Sequence, residues 1–174
     1  MYGKRYMRTE PQCEPGRLII VCGLPGSGKT THAKQLEDRL RAIRFSPDEW
    51  MEAVGIDLYD STARERVEAL QWTFAQNLLG LGQTVIIEWG TWGRSERDAL
   101  RTGACALGAA VELHFLDAPV NVLYERIRLR NMEFPPIQLD DLVKWNETFE
   151  RPTPEEMALF DAQPERAVPT DLAP

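Results

Sequence analysis

A chain of 174 residues has the length of one domain and is long enough to bury a core. Its 43% hydrophobic and 27% charged residues are the balance of an ordinary soluble globular protein. A formal net charge of -7 argues against the basic footprint of a duplex-coating protein, so extended nucleic-acid binding is not expected.

Cys13, Cys22 and Cys105 are far apart and without CxxC spacing, which predicts free thiols rather than disulfides or a zinc site. No apolar run is long enough to span a bilayer. Met1–Glu10 carries Lys4, Arg5 and Arg8 with no apolar stretch behind them, so no signal peptide is expected and the cytoplasm is the default location.

Residues 1–16, with Pro11, Pro15 and Gly16, read as a flexible lead-in, and 17–174 as the domain proper. Leu18–Cys22 is a continuous apolar run ending in glycine, the signature of a strand buried on both faces of a parallel sheet. Thr31–Arg41 has helical spacing, and Ile43–Ser46 is a second short strand. Ser61–Leu81 reads as a long amphipathic helix whose apolar stripe is Val67, Leu70, Phe74, Leu78 and Leu81. Thr84–Glu88 and Val111–Leu116 are further buried strands, with the helix Ser95–Leu107 between them, closed by Gly108. Val120–Asn131 and Leu139–Phe149 are helical, and a proline-rich tail from Arg151 wraps the surface. Alternating strands and helices predict a three-layer α/β fold on a parallel sheet.

Gly23-Leu24-Pro25-Gly26-Ser27-Gly28-Lys29-Thr30 fits G-x-x-x-x-G-K-[ST] in full, between a buried strand and a helix. Glycines let successive backbone N–H groups turn inward around a phosphate, and the helix N-terminus favours an anion there. Lys29 is suited to the β- and γ-phosphates of ATP, the Thr30 hydroxyl to Mg²⁺, and Thr31 completes the cradle.

After the second strand, Ser46 and Glu49 form an S-x-x-E capping box with Pro47 at the first helical position. Asp48 is not needed for that box. It falls beyond a strand's carboxyl end, where α/β sheets bind ligands, and suits the general base that takes the proton of an attacking hydroxyl. Glu88 ends an apolar strand as a Walker B acid does, within reach of Mg²⁺ or of an acceptor. Trp89 and Trp92, in a glycine-flanked loop, either stack on an acceptor or pack the loop onto the next helix.

Arg126 and Arg130 share one helical face and would close on a transferring phosphoryl group as part of a lid over 124–150; Arg128 faces elsewhere. Arg94 is a candidate substrate contact, with Arg97 and Arg101 on the same face read as surface residues. His32 and His114 have no catalytic partner in the pattern and read as structural.

With these residues in view, the chain resembles the small P-loop kinases that include zeta-toxin kinases, chloramphenicol phosphotransferase and the polynucleotide 5′-hydroxyl kinase domain, among the AAA-type P-loop ATP-binding proteins. The likeness runs from about residue 17 to 131, through GLPGSGKT, Ser46-Pro47-Asp48-Glu49-Trp50, the strand ending at Glu88, and Leu116-Asp117-Ala118-Pro119 to Arg130-Asn131. It implies a sheet of order 2-3-1-4-5, a catalytic base at Asp48, phosphate-stabilising lid arginines, and a tail that adds to the adenine pocket. Many relatives carry Asp where this chain has Glu88, with Trp89-Gly90 following, so the acceptor pocket departs from the family pattern. The expected activity is ATP- and Mg²⁺-dependent phosphoryl transfer to a hydroxyl of a small molecule. A 5′-hydroxyl kinase of nucleosides or polynucleotides, and a nucleotide-binding switch or weak ATPase without an acceptor, stay open.

Overall fold

The computed structural model describes residues 15–130 and 135–162. Most of the lead-in, Cys13, Asn131 and the end of the tail lie outside them. Four strands, β1 (Arg17–Cys22), β2 (Ile43–Phe45), β3 (Thr84–Gly90) and β4 (Ala110–Phe115), form a parallel sheet of order β2-β3-β1-β4. This is the expected order short of its last member; no fifth strand occurs among the described residues.

The alternation of side chains along β1 explains the two cores. Leu18, Ile20 and Cys22 point to one face, where they meet Ala75 and Leu79 of α3 (Ser61–Gly80) and Leu100 and Ala104 of α4 (Arg94–Cys105). Ile19 and Val21 point to the other, against Ala33 and Leu36 of α1 (Lys29–Leu40). A strand covered by helices on both sides has to be apolar at every position, and β1 is fully buried from Leu18 to Cys22. Each such Leu or Ile contributes about 1.5–3 kcal/mol relative to exposure.

Two local expectations fail for identifiable reasons. The capping box at α2 (Pro47–Ala53) does not form: Ser46 makes no side-chain cap, and Glu49 instead binds Arg44 at 2.7 Å and Lys34 at 3.2 Å. Two cations within reach hold a carboxylate more strongly than one backbone N–H. The stripe on α3 is out of phase. The buried face is Gln71, Ala75 and Leu79, whereas Leu70, Phe74 and Leu81 are 50%, 48% and 65% exposed. A buried glutamine is invisible to an apolar pattern, and its burial here is stabilised by a bond from Trp89 Nε1 at 2.8 Å.

A third apolar cluster lies at the site end of the sheet. Leu24 of the glycine-rich loop packs with Leu123 and Ile127 of α5 (Val120–Arg130), Leu142 of α6 (Leu139–Thr148), and Phe149. The chain then runs through α7 (Pro154–Met157), begun by a Thr153 cap, to Asp161, which exchanges hydrogen bonds with Val111 near the start of β4. No helix among the described residues is long and apolar enough to cross a membrane.

Candidate active site

The loop between β1 and α1 has the conformation that a phosphate cradle needs. Gly23, Gly26 and Gly28 have φ of 145°, 79° and 97°. At two of these, space is closed as well. A Cβ on Gly23 would stand 2.2 Å from the Leu116 carbonyl oxygen, and one on Gly26 would stand 2.7 Å from that of Leu123. The loop is thus pressed between the end of β4 and the backbone of α5, and only glycine fits either place.

Lys29 Nζ donates to the Leu24 carbonyl at 3.0 Å. Burial lowers its pKa to about 8, against the opposing pull of the Glu88 and Asp48 charges. The Thr30 hydroxyl donates to Glu88 Oε1, and the other Glu88 oxygen accepts from Arg44 Nη1 at 3.0 Å. The Arg44 side chain is 6% exposed and spans Glu37, Glu49 and Glu88. No cluster of three or more His, Cys, Asp or Glu suited to a metal occurs among the described residues. A hydroxyl touching one carboxylate beside a phosphate cradle does fit Mg²⁺, which takes few protein ligands and completes its shell with phosphate oxygens and water. Thr30 would ligate it and Glu88 would hold its water shell; the ion would supply charge neutralisation at the phosphates.

Above the loop opens a cavity of about 810 Å³. Pro25, Gly26 and Gly28–Thr31 form its phosphate end, and Asp48, Glu88, Trp89, Trp92 and Arg130 all line it. Gly23, Leu24 and Ser27 lie buried behind that lining. Asp48 is 63% exposed at its side chain and accepts from Arg64 Nη2 at 2.6 Å. Arg64, on α3, was not a sequence candidate. One acid sixteen residues before an arginine on another helix leaves no periodic signal.

The arginines of α5 separate. Arg130 lines the cavity, and its charge bears on Lys29. Arg126 sits at the rim, with Nη1 3.4 Å from the Gly26 carbonyl oxygen, and Arg128 pairs outward with Glu125. Both tryptophans line the cavity while also packing. Trp89 is held by Gln71, and Trp92 lies against Trp145 of α6 with ring centroids 5.8 Å apart. The two readings of this loop are therefore not exclusive.

Arg94 does not line the cavity; its Nε reaches Asp98, 3.5 Å away and one turn on. Arg97, read from its spacing as a surface residue, is fully buried. Its Nε and Nη2 bind Glu156 at 2.6 and 3.0 Å, Nη1 reaches the carbonyls of Thr91 and Trp92, and Nη2 also reaches that of Glu150. It clips the tryptophan loop to the C-terminal segment. His32 and His114, unpaired in the sequence, meet at 2.8 Å, and His114 in turn contacts Glu112 at 3.0 Å.

The glycine-rich loop and the parallel sheet flanked by helices together define a P-loop kinase-like nucleotide-binding domain. A family model described as an AAA domain, AAA_33, matches residues 18–152, and the chain belongs to that family. Among solved structures, a gluconokinase from Sinorhizobium meliloti 1021 is 25% identical, with a TM-score of 0.58 over 81% of this chain and 78% of that one. A sugar kinase from Janibacter sp. HTCC2649 is 28% identical, with a TM-score of 0.57 over 82% of each chain. The Pnkp1/Rnl/Hen1 RNA repair complex contains a chain that matches at a TM-score of 0.66 and 23% identity, over 88% of this chain and 48% of that one. No curated protein sequence matches the chain.

Proposed function

We propose that this protein transfers the γ-phosphoryl group of ATP, with Mg²⁺, to a hydroxyl of a small molecule. The observation that carries the reading is a single one. Asp48 shares the cavity with Lys29, close enough for its charge to bear on that lysine, with empty volume between loop and tryptophans for an acceptor.

In this reading the backbone N–H groups of the loop and Lys29 hold the β- and γ-phosphates. Asp48, kept in place by Arg64, accepts the hydroxyl proton as the acceptor attacks. Arg130 neutralises charge on the phosphoryl group in flight, and Arg126 steadies the loop from its rim. Trp89 and Trp92 wall the acceptor side. The adenine side falls to the shallow depression lined by Asp117, Pro119, Asn146 and Arg151, next to the Leu116 carbonyl that abuts Gly23. The domain so defined runs from about residue 17, with its lid over 124–150.

The sugar kinase and gluconokinase likenesses support a small acceptor. The fold likeness to the RNA repair complex keeps a polynucleotide end kinase as the second reading, which the carboxylates around the cavity disfavour because a phosphodiester chain would be repelled there. Transfer from γ-labelled ATP with Mg²⁺, assayed over sugars, amino alcohols, nucleosides and oligonucleotides with wild type and Asp48→Asn, tests the reading. Label on one acceptor class that disappears in the mutant supports it. Label released only as free phosphate, equally from both proteins, overturns it.

A further inference from the structure

We infer that the acceptor is a hydroxylated cation, an amino alcohol or amino sugar, whose ammonium group is held by Glu65 and Glu68 while a nearby hydroxyl faces Asp48. This rests on the phosphotransfer reading and names the substrate class for it.

The charges lining the cavity are not evenly spread. Lys29 and Arg130 belong to the phosphate end, where their charges act on each other. The remaining basic group, Arg64, is engaged by Asp48 at 2.6 Å. Of the acids, Glu88 is bound by Arg44 and Thr30, and Glu96 caps its own helix through the Gly93 N–H at 3.0 Å. Glu65 and Glu68, one turn apart on α3, line the cavity and make no hydrogen bond or ion pair among the described residues. Burial raises the Glu68 pKa to about 7; the Arg64 charge pulls it down, and the charges of Glu96, Asp48 and Glu65 add to the rise. A carboxylate pair in this position is a cost to the empty protein that a bound cation removes.

A further feature points to a ligand rather than to a solvated acidic face. The wall beside Glu68 is aromatic, built from Trp72, Trp89 and Trp92, and ring faces attract ammonium groups. An anionic acceptor would meet the same carboxylates unfavourably. Asp48 lines the same cavity as Lys29 and Glu68, and its charge bears on both. An acceptor anchored at Glu65 and Glu68 thus presents a hydroxyl toward the phosphates. That oxygen bonds to the γ-phosphorus as the bond to the β,γ-bridging oxygen breaks; ADP leaves with the electron pair, and the hydroxyl proton passes to Asp48.

The test compares amino sugars and amino alcohols with their N-acetylated counterparts and with sugar acids, using γ-labelled ATP, Mg²⁺ and the full chain. Acceptor binding is measured in parallel by quenching of tryptophan fluorescence. An amine is expected to exceed its N-acetyl form by at least about 30-fold in kcat/KM. Glu65→Gln/Glu68→Gln should raise the KM for the amine about 10-fold or more and abolish the preference, while Asp38→Asn, a neutralised acid exposed on α1, preserves it. Preferred transfer to neutral or anionic acceptors, or a preference unchanged in the double variant, overturns the cation site and leaves the kinase reading standing. Amine binding that depends on Glu65 and Glu68 without any transfer keeps the site and overturns the kinase reading. Neither binding nor transfer overturns both.

Discussion

Arg97 and Glu156 face each other through two hydrogen bonds of 2.6 and 3.0 Å, with side chains 0% and 1% exposed. The pair joins α4 to α7 across 59 residues of chain, and the same guanidinium reaches three backbone carbonyls. Every N–H of Arg97 is therefore used, which is the condition for a buried charge to be tolerated. Glu156→Ala strands that charge and should cost about 3–5 kcal/mol, read from urea unfolding. Arg97→Met leaves Glu156 and the loop carbonyls unmatched and should cost a similar amount. The double variant should cost clearly less than the two single losses added together.

Asp48→Asn keeps the shape of the side chain but removes its basicity. Turnover should fall by about 10²- to 10⁴-fold with little change in ATP affinity. Arg64→Ala leaves the carboxylate present but unanchored, so it should lower kcat by a smaller factor. Steady-state rates with a saturating acceptor, and separate nucleotide titrations, resolve the two effects.

In the proposed reading the ammonium form of Lys29 binds the triphosphate, and in the free protein its pKa is lowered to about 8. Affinity should therefore be full below pH 8 and decline above it, as protons must be taken up on binding. The decline approaches tenfold per pH unit until the pKa of the complex is reached. Titration with a fluorescent ATP analogue between pH 7 and 9.5 measures it, and Lys29→Arg, which keeps its charge, should flatten the profile.

Burial raises the pKa of Glu68 to about 7. A carboxyl raised in the folded state binds more protons there than in the unfolded chain between about pH 4.5 and 7. Its contribution to stability is thus lost as pH rises through that window, and the full penalty holds above it. Glu68→Gln should stabilise the protein at pH 8 by about 1–2 kcal/mol, discounted for partial exposure. The advantage should vanish near pH 4. Thermal unfolding at the two pH values checks this.

The parts of the molecule that were legible in the sequence are those governed by local rules. The loop from Gly23 to Thr30 and the strand Leu18–Cys22 announce themselves because backbone conformation and two-sided burial restrict residue type position by position. Asp48 and Glu88 could be located because strand ends in a parallel sheet face one crevice. What stayed hidden depends on distant partners. Arg97 looks like any helical surface arginine until Glu156 is placed beside it. Arg64 and Glu68 acquire meaning only once the face of α3 is known, and that face was misread because Gln71 occupies a core position while Leu70 and Phe74 do not. The link between His32 and His114 likewise crosses from helix to strand, outside any pattern along the chain.

The close approach of Gly26 to the Leu123 carbonyl oxygen has a mechanical consequence. The glycine-rich loop is braced by the helix that carries Arg126 and Arg130, so a shift of one presses on the other. If the loop stiffens when nucleotide arrives, as the proposed function implies, α5 should stiffen with it. Amide exchange in the middle of that helix should slow on ATP binding, even though Leu123 and Ile127 point into an apolar cluster away from the phosphates.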